Sequence, residues 1–466
     1  MDAVTDRAND EQVDVVVLGL GPGGEYAARK LAEAGLEVVG VDRALVGGEC
    51  PFWGCTPSKL MVRAADVLAE ARRVPALGGR VEVTPDWSLV AGRIREANHD
   101  WTDHHHAGPL EEAGVRIVRG HGRLDGPGRV VVDTDAGPRV FAAARGVVLN
   151  TGTEPARLPV DGLAETPYWT NREVMKVTEV PETLAVVGGG PNGVELAQAF
   201  ARFGARVTLL EAADRIVAAE EPEASDVLTR ALCEEGIEVR AGVEVERVSH
   251  DGRFTLVVDG TELVADQLLV AAGRSMNLAD VGLETVGLDP QADQVDVDDR
   301  SRAGERLWAV GDITGRGAFT HVSRYQAYVA VADLLGTEDV RAEYHAVSRV
   351  TFTDPEVGAV GLTEAQARDQ GLRVSVSTAD VERSSRGWVH GPGTTGVIKL
   401  VSDADRDVLV GATVVAPYGG EVLGLLVTAV HARVPLPVLR RMHFAYPTFH
   451  RAIQVALGKL HEAGTA

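Results

Sequence analysis

Cys50 and Cys55 are the residues of this chain best suited to chemistry, two thiols in the segment Gly47-Gly48-Glu49-Cys50-Pro51-Phe52-Trp53-Gly54-Cys55-Thr56-Pro57-Ser58-Lys59. A chain of 466 residues with three cysteines does not use disulfides as staples. In a reducing compartment a close pair is more often redox-active or metal-binding. Zinc would need further ligands, and none lies nearby in sequence, so redox chemistry is expected and no metal site is assigned. Cys233 stands alone in a helical pattern over residues 226–235 and reads as a buried, inert thiol.

The elements that must position the pair precede it. Val13-Asp14-Val15-Val16-Val17-Leu18 reads as a buried parallel strand, followed by Gly19-Leu20-Gly21-Pro22-Gly23-Gly24, a helical run to Ala34 and a second strand ending at Asp42. In a dinucleotide fold Gly19 makes the turn, Gly21 lets the backbone reach a pyrophosphate and Gly24 allows close helix packing; Asp42 can accept from a ribose hydroxyl. The construction returns as Leu184-Ala185-Val186-Val187, then Gly188-Gly189-Gly190-Pro191-Asn192-Gly193, a helix over 194–203 and a strand ending at Glu211. Two such sites beside a cysteine pair describe an electron path from nicotinamide to flavin to disulfide.

Length and charge narrow the partners. A chain of this length needs two to four domains. Its net charge of -22 argues against nucleic acid and anionic membranes. The start, MDAVTDRANDEQ, has no positive or apolar signal region, and no apolar run is long enough to span a bilayer, so a cytoplasmic location is expected.

The cysteine segment resembles the redox motif of the class I pyridine nucleotide-disulfide oxidoreductases, the family of dihydrolipoamide dehydrogenase, glutathione reductase and mercuric reductase. The likeness extends along the chain. Asn150-Thr151-Gly152-Thr153-Glu154-Pro155 resembles the strand exit from the flavin domain, and Ala271-Ala272-Gly273-Arg274-Ser275-Met276-Asn277 its counterpart leaving the nicotinamide domain. Trp308-Ala309-Val310-Gly311-Asp312 resembles the segment that binds the flavin ribityl chain, with Thr320 near the flavin, and residues 353–362 resemble the opening of the dimerisation domain.

The resemblance implies an α/β chain with two Rossmann-like dinucleotide-binding domains and a C-terminal α+β dimerisation domain. The flavin domain would be split, 1–157 and 276–340, around a nicotinamide domain at 158–275, with the interface domain at 341–466. FAD, a nicotinamide cofactor and a homodimer are implied. The FAD and nicotinamide contacts would come from Gly19, Gly21, Gly24, Asp42, Lys59, Gly122, Thr151, Gly152, Asp312 and Thr320, and from Gly188, Gly190, Gly193, Glu211 and Gly273. Cys55 would be the charge-transfer thiol facing the flavin, and Cys50 the interchange thiol facing the substrate, with a helix N-terminus favouring thiolate. Lys59 is one of only five lysines, and by resemblance it pairs with Glu195. Glu211 accepts from the free ribose 2'-hydroxyl of NAD and repels the 2'-phosphate of NADP, so NADH is expected, although Arg215 stands close enough to turn toward a phosphate.

Two departures concern the substrate. Disulfide-reducing members carry His-Pro-Thr-x-x-Glu near the C-terminus; here Tyr446-Pro447-Thr448-Phe449-His450-Arg451 puts tyrosine for the histidine and arginine for the glutamate. A phenol with an ordinary pKa near 10 is a poorer proton shuttle than imidazole near 6.5, and neither His443 nor His450 occupies the matching position. Mercuric reductases also place a tyrosine there, but relay the ion through C-terminal cysteines, and the last eight residues here hold none. No N-terminal cysteine module is visible either. Phe52 and Trp53, beside the interchange thiol, suggest either stacking with an apolar or planar substrate such as a quinone or packing against the helix behind the disulfide. The expected activity is electron transfer between NADH and a non-standard small acceptor. Small-disulfide reduction, metal-ion reduction and a non-catalytic redox sensor are the alternatives. His104-His105-His106 reads as an exposed turn whose rings diverge, and residues 383–388 as a mobile loop.

Overall fold

The computed structural model describes residues 10–463. The segment at 1–9, on which much of the signal-peptide reading rests, and residues 464–466 at the C-terminus lie outside them. The chain forms two compact units. The first comprises the described residues up to Pro57 with Arg95–Ala156 and Arg274–Tyr344; the second comprises Ser58–Ile94, Arg157–Gly273 and the described residues from His345 onward.

In the first unit the strand Glu11–Leu18 lies between Val38–Asp42 and Gly137–Leu149, parallel to both. Arg116–Arg119 extends one side, Leu307–Ala309 and Arg302–Gly304 the other, and the hairpin His121–Leu124/Arg129–Thr134 joins through Gly137–Leu149. Val13, Val16 and Leu18 enter one apolar core and Val15 and Val17 another. A strand buried on both faces needs a continuous apolar run rather than alternation, and Val15-Val16-Val17-Leu18 supplies it. The helix Pro22–Glu33 starts on Pro22, whose fixed φ suits a first helical position and whose missing N–H costs nothing there.

The second unit repeats the plan. Its parallel sheet runs Glu238–Ala241, Arg206–Glu211, Thr183–Val187, Gln267–Val270, with the helix Pro191–Arg202 again starting on proline. An antiparallel meander, Val245–His250, Phe254–Val258 and Thr261–Ala265, accompanies it. The C-terminal part is a five-stranded antiparallel sheet ordered Ser348–Thr351, Glu356–Gly361, Val408–Ala416, Val397–Asp403, Val374–Asp380, with the helices Gly419–His431 and His450–Ala463 against it. The interior of this unit holds ionic clusters, one of them around Arg202. Arg202, 2% exposed, reaches Asp66 at 2.7 Å, Glu235 at 2.6 Å and Asp354 at 2.8 Å. Removing the Arg202 guanidinium would take away the counter-charge that these three carboxylates share.

Three local expectations are corrected. Cys233 is exposed: the helix Pro222–Glu234 buries Ala224, Val227, Leu228, Ala231 and Leu232, and that face leaves position 233 toward solvent. Residues 385–390 form a helix rather than a mobile loop, because Ser384 caps it by accepting from Gly387 N at 3.0 Å. His104, His105 and His106 lie in the helix His104–Glu112, with Asp103 at its N-cap.

Candidate active site

Cys50 sits in the short helix Glu49–Trp53, and Cys55 begins the 23-residue helix Cys55–Leu77. Neither is in a disulfide; Cys50 is half-buried and Cys55 exposed. Cys55 Sγ lies 3.4 Å from Thr320 Oγ1, at the start of the helix Thr320–Leu335. Two helix N-termini therefore meet at this sulfur, and their dipoles favour a thiolate. The hydrogen bond to Cys55, together with burial, raises the Cys50 thiol well above the ordinary range.

A polar chain flanks the pair. Arg274 Nε donates to Thr153 Oγ1 at 2.7 Å, and Thr153 Oγ1 donates to Asp312 Oδ2 at 2.7 Å. Arg274 also bonds Thr153 O at 2.9 Å and reaches Glu49, the neighbour of Cys50, at 3.3 Å. Asp312 was an expected contact residue; Thr153, Arg274 and Glu49 stood inside the quoted motifs without a role. Their signal was available, since charged and hydroxyl residues at strand exits must find partners.

Lys59 follows Cys55 by one helical turn. Its Nζ lies 2.5 Å from Glu195 Oε2 and 4.9 Å above the Phe352 ring. Glu195 is 2% exposed on its side chain, and its other oxygen accepts from Phe352 N at 2.8 Å. Both carboxylate oxygens are thus committed, which fixes the ammonium in place.

The glycines of the first repeat divide by what a side chain would meet. At Gly19 and Gly24 a Cβ would strike the carbonyls of Asn150 and Gly19 respectively, and Gly19 has φ +89°. At Gly21, the N-cap, only Asn150 Nδ2 comes within van der Waals range, at 3.4 Å. Thr151 Oγ1 is buried with no hydrogen-bond partner among the described residues, and Gly152 is open on its Cβ side. A helix N-terminus faced by bare backbone, with an orphan hydroxyl nearby in the chain, fits a pyrophosphate-containing cofactor. Asp42 accepts from Leu20 N and Ala44 N, both at 2.8 Å, and burial raises its carboxyl above the usual range. Gly122 serves packing, since a Cβ there would sit 2.6 Å from Leu18 Cδ2.

The second repeat matches. Gly188 has φ +111°, Gly193 abuts the Gly188 carbonyl, and nothing lies near the Cβ side of Gly190. Glu211 accepts from Gly189 N at 2.5 Å and Ala213 N at 2.7 Å. Arg215 Nη2 donates to Ala218 O at 2.7 Å. Gly273 has φ +75°, which a glycine supplies without strain.

The choice between stacking and packing is decided for Phe52. Phe52 is 2% exposed and packs against His106, with ring centroids 5.6 Å apart, so it offers no stacking face. Trp53 is half-buried and stacks on Trp101 at 6.1 Å and 19°. Tyr446 is 69% exposed, with the Arg451 guanidinium 5.7 Å from its ring centre. His443 is exposed and His450 starts the last helix.

Two linked nucleotide folds, a dithiol at converging helix ends and an antiparallel C-terminal sheet define a flavin- and nicotinamide-linked dithiol oxidoreductase. Residues 13–327 match the pyridine nucleotide-disulphide oxidoreductase family and residues 347–457 its dimerisation domain, and the chain belongs to this FAD-dependent enzyme family. It is 34% identical to a mercuric reductase of Shigella flexneri over 458 residues, covering 95% of this chain and 80% of that one. It is 31% identical to a dihydrolipoyl dehydrogenase of Chlorobaculum tepidum, covering 96% of each. The Cu(II) complex of the HOCl-induced flavoprotein disulfide reductase RclA from Escherichia coli superposes with a TM-score of 0.83 at 26% identity, covering 97% of this chain and 99% of that one. No helix among the described residues is long and apolar enough to cross a membrane.

Proposed function

We propose that this enzyme passes electrons from NADH through the Cys50–Cys55 dithiol to a small thiophilic acceptor, a soft metal cation rather than an organic disulfide. The carrying observation is position 446. Reducing an organic disulfide releases a thiolate that must be protonated, and an imidazole held by a carboxylate does this well. Here an exposed phenol with a guanidinium against its ring stands there instead. A cation held between thiolates leaves on accepting two electrons and needs no proton. NADH releases that pair and departs as NAD+ with one proton. FAD, when bound, supplies the two-electron exchange between nicotinamide and the sulfurs. The chain's own parts are Gly21 and Gly190 at the phosphates, Asp42 and Glu211 at the riboses, Lys59 fixed by Glu195, and Asp312 held by Thr153. The mercuric reductases among the relatives support this reading.

Both oxygens of Glu211 are anchored by backbone amides, and Arg215 bonds the Ala218 carbonyl, which supports NADH over NADPH. The proposal includes the three-part division at 157/158, 275/276 and 340/341, a homodimer formed through 341–466, and a cytoplasmic setting, where the dithiol stays reducible. A second reading, a quinone or other planar acceptor, draws on the exposure of Tyr446 and the partial exposure of Trp53.

Anaerobic NADH titration of the FAD-loaded enzyme, then turnover with Hg(II), lipoamide and a benzoquinone, tests these together. A long-wavelength thiolate-to-flavin band and cation turnover lost in Cys50→Ser are expected. Quinone turnover that survives Cys50→Ser would favour the second reading, and lipoamide as the best acceptor would overturn the role given to position 446.

A further inference from the structure

His99, His104 and His105 bring one ligand nitrogen each to within 4.8 Å of the others. The consecutive histidines alone did not announce this. His106 turns away, its Nδ1 bonded to Glu25 at 2.9 Å, and His99 takes the third place from the preceding turn. His99, Asp100 and Trp101 all have positive φ, +47°, +53° and +56°. This left-handed stretch carries the His99 ring onto that of His105, with centroids 4.0 Å apart and planes 31° from parallel. His104 stands 5.6 Å from His99 and 6.2 Å from His105 by the same measure.

One hydroxyl decides which nitrogen of His104 is available. Thr102 Oγ1 lies 2.8 Å from the His99 carbonyl, which can only accept, so the hydroxyl hydrogen goes there. The same oxygen lies 2.9 Å from His104 Nδ1 and must accept from it. His104 Nδ1 therefore carries the proton, and Nε2 presents its lone pair. An oriented outer partner of this kind accompanies metal-binding histidines and sets their tautomer. Asp103, next to His104, is engaged elsewhere, since it accepts from Val46 N and pairs with Arg119.

We propose that His99, His104 and His105 form a binding site for a divalent transition cation of borderline softness, separate from the dithiol. Three neutral imidazoles suit Cu(II), Ni(II) and Zn(II), with Cu(II) the tightest. Nitrogens sharing one cation at about 2.0–2.1 Å stand roughly 3 Å apart, so small rotations of the His104 and His105 rings, both exposed, close the set. Three protein ligands leave positions for water or a small anion. The site adjoins the redox segment through Asn98, which donates to Phe52 O at 3.2 Å, and through the Trp101–Trp53 stack. It stands whichever acceptor the dithiol serves.

The test uses untagged, FAD-loaded protein with Cys50–Cys55 oxidised and Cys233→Ser throughout, so that no thiol binds the probe. Titration calorimetry with NiCl2 and electron paramagnetic resonance with one equivalent of CuCl2 are the readouts. One equivalent should bind, with nitrogen hyperfine structure from at least two imidazoles. His99→Ala and His105→Ala should each weaken binding tenfold or more, and Thr102→Val about tenfold, as loss of an outer partner does. FAD content and NADH reduction, unchanged in these variants, show that they fold. Equal affinity in the His99→Ala/His105→Ala double variant, or a copper signal without nitrogen coupling, would overturn the proposal.

Discussion

The two glycine-rich repeats share a backbone, and among their differences is a linked pair of residues. Gly21 and Gly190 have nearly the same dihedrals, φ/ψ of -73°/-176° and -74°/-179°. In each repeat the last glycine abuts the carbonyl of the first, and the acid ending the second strand binds two backbone amides. The linked difference begins at the residue after the first glycine. In the first repeat it is Leu20, fully buried against Gly40, and the acid is the shorter Asp42. In the second it is Gly189, where a Cβ would sit 3.0 Å from both Cβ and Oε2 of Glu211. The longer carboxylate occupies the space that the leucine side chain would need. Acid length and this position are therefore one choice: Asp with leucine, Glu with glycine.

The largest disturbance of that contrast is Leu20→Gly. It empties a packed site without a longer acid to fill it and should cost about 2–5 kcal/mol of stability, measured by urea unfolding, with loss of bound FAD. Gly24→Ala and Gly193→Ala come next, each forcing a Cβ against a carbonyl at a cost of about 1–3 kcal/mol. The first should purify with little FAD, and the second should stay yellow but respond poorly to NADH; the opposite pattern would exchange the roles of the repeats.

Glu211→Gln should raise the KM for NADH about tenfold, corresponding to about 1.4 kcal/mol, while leaving FAD content intact. If NADPH then becomes the better donor, Arg215 can be recruited to the 2'-phosphate. An unchanged ratio of kcat/KM for NADH and NADPH would remove Glu211 from the selection.

The smallest effect is a pH dependence. Burial holds the Asp42 pKa above its unfolded value near 3.9, so the folded state binds this proton more tightly. The stability it contributes is present below about pH 4 and is lost as pH rises through the folded pKa. Asp42→Asn should flatten this part of the stability curve in urea titrations between pH 3.5 and 7, and an unchanged slope would place the dependence elsewhere.

Much of the site was legible because its signals are local. Glycine spacing, β-branched runs and terminal acids report on a few residues of backbone at a time, and the strand and helix limits fell within a few residues of those read. What was misread depended on which way a side chain turns. Cys233 reads as buried because its helix has a buried face, and for Phe52 the choice between stacking and packing waited on the fold. The histidines looked divergent because His99 joins them from an earlier turn, through backbone with positive φ that residue type alone does not announce.

The sequence alone determined the family, both nucleotide folds and the presence of a dithiol, since each follows from contiguous residues whose roles depend on backbone geometry. Only the tertiary structure decided that Thr320 lies against Cys55, that Arg274 and Thr153 hold Asp312, and that Phe352 shares Glu195 with Lys59. These partners are far apart in the chain. The stabilising effect of one on another falls off steeply beyond contact distance, so nothing in the linear order marks them until the sheets and helices bring them together.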